Sequence, residues 1–183
     1  MGDVEDWNQR YLRGEHASAE LSDFLIEVAE GLPPGRAFDL ACGTGRHALY
    51  LAARGWEVSA LDGSSAALAL LAQRVSPALA PRIHAICVDL EAAPLDLAPA
   101  SFDLVLDFFY LQRSLFPVLA AAVRPGGHFA AAIHLGAEGQ PRRVRSGELA
   151  SYFPGWTVRI DRAHRPEGDK PAAHFLAQRP VAP

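Results

Sequence analysis

Along most of the chain, short apolar runs alternate with longer stretches whose apolar positions recur every three or four residues. That alternation predicts strands followed by amphipathic helices. RAFDLA (residues 36–41) reads as a strand ending at a turn that contains Gly43 and Gly45. RHALYLAARG follows as a helix, with Ala48, Leu51 and Ala52 on one face and Gly55 as its stop. WEVSALD (56–62) is the next strand and SSAALALLAQRV the next helix. IHAICVD (83–89) and SFDLVLDFF (101–109) add two strands. RSLFPVLAAAVRPGG is helical from about Phe116-Pro117, because proline suits the first helical turn. HFAAAIH (128–134) is a fifth strand. SGELASYF then reads as a short helix, and WTVRIDR and AAHFLAQR as two closing strands.

This order predicts an α/β fold with a mostly parallel sheet wrapped on both faces by helices. About nine residues, 164–172, separate the last two strand runs. A parallel crossover takes a dozen or more, so one C-terminal strand is expected to be antiparallel. Residues 1–35 form a mostly helical addition closing at Pro33-Pro34-Gly35, and 36–183 form the core. The expectation is one domain spanning 1–183.

Composition narrows the partners. The chain has 183 residues, a formal charge of −4 and a pI near 5.9, so nothing draws it as a whole to nucleic acid or an acidic membrane. Basic residues gather in PRRVRSGE (141–148), which reads either as a solvated loop or as a small anion site. Cys42 and Cys87 lack any C-x-x-C spacing and are expected to be small buried thiols in a reducing compartment, with no metal. The acidic start MGDVEDWNQR has no hydrophobic signal core, and Asp6 stands where myristoylation needs Ser or Thr. No apolar run has membrane-spanning length, so the expected location is cytoplasmic.

Gly43-x-Gly45-x-x-Ala48 fits the relaxed fingerprint of a dinucleotide site. Two glycines let a ligand approach the backbone at a helix N-terminus, which suits a phosphate or a carboxylate. Asp62 lies seventeen residues past Gly45, at the end of the second strand. A carboxylate there can accept from both hydroxyls of a ribose, while Ser64 and Ser65 are better placed to cap the next helix. Asp89-Leu90, ending the third strand, reads either as an adenine contact or as a surface turn. The three strand ends together favour an adenosyl group.

On these residues the chain resembles class I S-adenosylmethionine-dependent methyltransferases. FDLACGTGRHALYLAARGWEVSALDGSS is similar to that family's cofactor-binding half, and SFDLVLDF with VRPGGHF to its fourth strand and Pro-Gly-Gly turn. Trp7, Tyr11, the glycine turn followed by Arg46, SGELASYFPGWTV and AAHFLAQRP resemble the small-molecule branch around the tellurite-resistance methyltransferases. The resemblance covers nearly the whole chain and implies a Rossmann-like, seven-stranded sheet. It implies S-adenosylmethionine as cofactor, with Gly43 and Gly45 beside its methionine end and the Asp39 to Ala41 backbone accepting from its ammonium. Asp62 and Gly63 would serve the ribose, Asp89 and Leu90 the adenine, and Asp107 and Phe108 the reacting sulfonium. The N-terminal helix with Trp7, Arg10 and Tyr11 resembles a lid; terminal-helix packing is the other reading of its aromatics. Two departures are Ala41, where the family often has glycine, and a short segment before SGEL, where substrate pockets are often shaped.

Arg113, His134, His164 and Arg165 are the acceptor-side candidates, each with a plain structural alternative. The expected partner is a small-molecule methyl acceptor, either a chalcogen oxyanion or a thiol, in a monomer or homodimer. DFFY (107–110) lacks both prolines of the amino-methylating motif, so no nucleic-acid partner is expected. Two other classes stay open: an NAD(P)-dependent reductase, and a non-catalytic S-adenosylmethionine-binding regulatory module.

Overall fold

The structure is a computed structural model, and it describes residues 4–15, 20–137, 140, 142–167 and 170–181, with no side-chain description for 164–167. The chain divides into two compact units, Met1–Pro94 and Leu95–Pro183.

The first unit runs α1 (Val4–Leu12), α2 (Asp23–Glu30), β1 (Arg36–Leu40), α3 (Arg46–Ala53), β2 (Glu57–Asp62), α4 (Ser65–Arg74) and β3 (Ile83–Cys87). Its strands pair in parallel, β1 with β2 from Arg36↔Glu57 to Leu40↔Leu61, and β2 with β3 from Val58↔Ile83 to Asp62↔Cys87. The apolar stripe of α3 buries Ala48, Leu51 and Ala52 as its spacing predicts, and His47 with them. Ser64 caps α4, its hydroxyl accepting from the Ala67 N–H at 3.1 Å. Trp56 and Phe38 are fully buried, and each such aromatic contributes about 1.5–3 kcal/mol of hydrophobic stabilisation. β3 is the outermost strand, and His84 to Cys87 are exposed. Cys87 is therefore a surface thiol, contrary to the expectation of two buried ones; an edge position overrides the apolar look of its segment. Cys42 is buried.

The second unit contains β4 (Phe102–Phe108), α5 (Phe116–Ala122), β5 (Val123–His134), β6 (Thr157–Glu167) and β7 (Lys170–Gln178). β4 and β5 are parallel, while β7 is antiparallel to both β5 and β6, so the expected antiparallel strand is β7. SGELASYF forms a single 3-10 turn, Leu149–Tyr152. His164 and Arg165 do not lie in a connecting loop, as the sequence suggested. They sit within β6, because β6 and β7 form a tight hairpin that pairs as far as Glu167↔Lys170. Pro166 is tolerated there because β6 is an edge strand, which needs no second ladder of N–H donors. Phe116, Phe129, Phe153 and Phe175 make the core of this unit, with ring centroids 4.4–6.4 Å apart.

The seven strands take the order β3-β2-β1-β4-β5-β7-β6, a mostly parallel, Rossmann-like sheet. Among the described residues, no helix is long and apolar enough to cross a membrane.

Candidate active site

β1 delivers Asp39 and Leu40 into a turn whose geometry depends on residue size. Ala41 has φ +53°, a left-handed conformation that costs a non-glycine residue roughly 1–2 kcal/mol. This is the position where the resembled family often carries glycine, so the departure noted above strains the backbone. Gly45 has φ +75°, and a Cβ there would stand 2.2 Å from Leu71 Cδ1 of α4. Its missing side chain thus serves the packing of α4 against the turn. Arg74 fastens the same turn, donating to Thr44 Oγ1 at 2.8 Å.

The N–H donors of both glycines are already engaged. Gly43 N–H donates to Asp62 Oδ2 at 2.8 Å, and Gly45 N–H donates to the Cys42 carbonyl at 3.0 Å. Asp62 also accepts the Ser64 N–H on Oδ1 at 2.8 Å, so one carboxylate ties the glycine turn to the start of α4. Each of its oxygens keeps further lone-pair capacity for a ligand hydroxyl. Burial pushes the Asp62 carboxyl above its usual range, against the backbone donors of Ser64, Gly43 and Gly63. Asp39 is 1% exposed, and its Oδ2 has no hydrogen-bond partner. Burial first, and then the Asp62 charge, push Asp39 up to about 7, opposed by Arg46 and the Ala48 N–H. His47 is pushed down to about 3 by burial and by Arg46.

α1 lies over this turn. The Tyr11 hydroxyl stands 2.8 Å from where a Cβ on Gly43 would lie, and Val4 Cγ2 is 2.9 Å from the equivalent point on Gly63. Burial, then Asp62 and Cys42, raise the Tyr11 hydroxyl above its ordinary range. Trp7 and Tyr11 have ring centroids 5.9 Å apart, with the Arg10 guanidinium 5.0 Å over Trp7. The helix is fixed by Asn8, whose Oδ1 accepts from Ser64 Oγ at 2.7 Å and from Ala66 N–H at 3.2 Å. The sequence reading singled out Trp7, Arg10 and Tyr11 and missed Asn8; its spacing of three from Tyr11, on the same helix face, was the available signal.

Asp89 has the local role of a turn residue, with Oδ1 accepting from the N–H groups of Glu91 (2.9 Å) and Ala92 (3.3 Å). Leu90 beside it is buried.

In the second unit, Asp107 and Phe108 end β4, both buried. Phe109 follows with φ +65°, unusual for a bulky residue, and its ring packs 5.2 Å from that of His134 at the end of β5. Arg113 donates from Nε to Glu148 Oε1 at 2.7 Å and from Nη2 to the Arg143 carbonyl at 2.9 Å. Tyr152 and the Arg145 N–H complete the Glu148 shell. Against the upward push of burial, Arg113, the Arg145 N–H and Tyr152 hold Glu148 below its usual range. The basic run is therefore part of an ordered network, and Arg113 is anchored in it. His164 and Arg165 are placed by backbone alone. Among the described residues, no three His, Cys, Asp or Glu side chains cluster so as to hold a metal.

The chemistry of the first unit's turn fits one kind of ligand. A pyrophosphate needs N–H donors, yet those of Gly43 and Gly45 are engaged, and two carboxylates, the buried Asp39 and the half-buried Asp62, stand beside them. An amino-acid ammonium finds an unpartnered acceptor in Asp39 Oδ2, and ribose hydroxyls find Asp62. These residues fit S-adenosylmethionine and not a dinucleotide. The fold and the turn together are those of a class I methyltransferase domain.

Comparison with known proteins agrees. Residues 37–127 match the family described as "Methyltransferase domain". The chain is 26% identical over 158 residues to "Hemagglutinin 1" of Eikenella corrodens, covering 81% of this chain and 52% of that protein. It is 29% identical over 179 residues to a "Malonyl-[acyl-carrier protein] O-methyltransferase" of Pseudescherichia vulneris, covering 95% and 62%. The crystal structure of TehB from Haemophilus influenzae superposes with a TM-score of 0.71 at 18% identity, covering 94% of this chain and 67% of that one. The chain spans about half to three-fifths of the length of the curated relatives it matches. Residues 37–127 carry a methyltransferase domain, the fold is the Rossmann-like one of class I methyltransferases, and S-adenosylmethionine is the cofactor that this domain implies.

Proposed function

We propose that the chain, acting as one domain, transfers a methyl group from S-adenosylmethionine to a small-molecule acceptor. The observation that carries this reading is the pair of carboxylates, buried Asp39 and half-buried Asp62, beside a turn whose two glycine N–H donors are engaged internally. When bound, the cofactor supplies an activated methyl group on a sulfonium, so no protein nucleophile is required.

The chain's residues then bind, orient and exclude water. Asp39 receives the ammonium and Asp62 the ribose hydroxyls. The α1 helix, pinned by Asn8, keeps Tyr11 over the turn and sheds water from it. Gly43, Gly45, Gly63, Asp89 and Leu90 shape the remaining contacts, and Asp107 and Phe108 are assigned to the sulfonium end. Alignment of acceptor and methyl carbon can supply on the order of 7–11 kcal/mol.

Arg113, His134, His164 and Arg165 are assigned to the acceptor. The resemblance to tellurite-type enzymes supports a chalcogen oxyanion or a thiol; the oxyanion, or a thiol already ionised to its thiolate, needs no general base. A cytoplasmic protein without nucleic-acid partners belongs to the same reading. A labelled-methyl assay over selenite, tellurite, thiols, small amines and carboxylic acids tests it. Transfer to one acceptor class is the expected result, and binding of S-adenosylhomocysteine without transfer to any would favour a regulatory module.

A further inference from the structure

Beyond β5, Val144 pairs in parallel with Leu135 through an isolated bridge. The Gly136 N–H donates to the Val144 carbonyl at 3.1 Å, and the Val144 N–H donates to the His134 carbonyl at 3.0 Å. The fold is so close that a Cβ on Gly136 would stand 2.4 Å from Arg143 Cδ. Arg143 is held in turn by its Nη1, which donates to the Leu135 carbonyl at 2.9 Å. This bridge, the Arg113 turn and the 3-10 turn after Glu148 border an open pocket of about 240 Å³.

Among the described residues, three guanidiniums, those of Arg113, Arg143 and Arg145, line the pocket against one carboxylate, Glu148. A network that served packing alone would balance its charge; this one leaves an excess of positive charge inside a chain of net −4. Both Glu148 oxygens accept hydrogen bonds: Oε1 from Arg113 and from the Tyr152 hydroxyl (3.2 Å), and Oε2 from the Arg145 N–H (2.9 Å). Yet Arg113 Nη1 and Arg143 Nη2 donate no hydrogen bond to any described residue. Two planar guanidiniums held by their other nitrogens, with donors to spare, are arranged for an oxyanion that accepts in pairs. Ser151, whose hydroxyl donates to the Glu148 carbonyl at 2.7 Å, leaves its oxygen lone pairs and no donor for that ligand.

We propose that this cavity binds a small organic or inorganic oxyanion, a carboxylate or a phosphate-type group, and that it recognises the acidic group of the methyl acceptor. The second half rests on the methyltransferase reading; the first does not. The full chain would be titrated calorimetrically with inorganic phosphate and, separately, with malonate, at constant ionic strength set by chloride. Saturable binding of either probe is expected, weakened at least tenfold in Arg143→Gln and to a lesser degree in Arg143→Lys, which keeps the charge but loses the fork. S-adenosylhomocysteine titrations of the same samples report that the fold and the cofactor site are intact. No saturable binding above chloride, or equal binding in Arg143→Gln, overturns the site even where S-adenosylhomocysteine binds normally. Anion binding without S-adenosylhomocysteine binding upholds the site and removes the methyltransferase reading. For the acceptor, labelled-methyl rates on paired acids and their neutral amides should favour the acid at least tenfold in the native chain and lose that preference in Arg143→Gln. Equal rates on acid and amide overturn the assignment to the acceptor.

Discussion

Around the glycine turn stand two carboxylates, Asp39 buried and Asp62 half-buried, and the glycine N–H donors beside them are engaged by the protein itself. Around Glu148 the balance is reversed: among the described residues three guanidiniums face one carboxylate both of whose oxygens accept hydrogen bonds, leaving donors over. Neither region is neutral, and each withholds from a ligand the kind of group that the other offers. On the proposed reading the first suits a ligand carrying positive charge and hydroxyls, the second one carrying oxyanion oxygens. A glycine fingerprint names neither preference, since it specifies where backbone comes close and not which polar groups remain available.

The largest effect is expected on removing the acidic anchor of the first region. Asp62→Ala deletes hydrogen bonds from charged acceptors worth about 1.5–3 kcal/mol each, so S-adenosylhomocysteine affinity should fall at least about a hundredfold. Affinity left intact in calorimetry would show that Asp62 holds the turn and nothing else.

The second region should respond through stability. Glu148→Gln leaves three guanidiniums without their shared charge and is expected to cost about 1–3 kcal/mol in urea unfolding. Raised salt should shrink that difference. An unchanged midpoint would mean the network is a loose surface arrangement.

The first region carries a pH signature as well. A carboxyl raised from 3.8 to about 7 is protonated in the fold while ionised in the unfolded chain. Its contribution is fully present below about pH 4 and is lost as pH rises through about 7. His47, lowered from 6.5 to about 3, works the other way, its contribution being lost as pH falls from about 6.5 toward 3. Asp39→Asn should therefore gain stability relative to the native chain between pH 4 and pH 8, exposing the opposite slope of His47. A difference between the two proteins that does not change with pH would place Asp39 in an ordinary carboxylate environment.

The smallest effect concerns backbone strain beside that carboxylate. Ala41→Gly relieves a left-handed alanine and should raise stability by up to about 1 kcal/mol, a shift of a few degrees in Tm. A lower Tm would show that the unfolded-chain entropy of glycine outweighs the strain.

Local patterns were readable wherever the cause is local. Strand and helix order, the proline start of α5 and the Ser64 cap follow from periodicity and capping within a few residues. The short spacing of the last strands announced an antiparallel strand, though it concealed how far the hairpin extends and so misplaced His164 and Arg165. Contacts between distant residues stayed hidden. Asn8 reaches Ser64 across 56 positions, Leu71 packs where Gly45 lacks a side chain, and Arg113 meets Glu148 across 35. Cys87 looked buried because its segment is apolar, while its exposure depends on which strand lies at the sheet edge. Nor could sequence show that the glycine turn's donors are engaged, which is what separates an adenosyl-methionine ligand from a dinucleotide.

That separation is measured most directly by titrating the full chain with S-adenosylhomocysteine and with NADH, at pH 6 and at pH 8. The expected result is affinity of about micromolar order for S-adenosylhomocysteine. It should be tighter at pH 8, where Asp39 is free to ionise against the ammonium, with no detectable binding of NADH. Saturable NADH binding with none for S-adenosylhomocysteine would contradict the account.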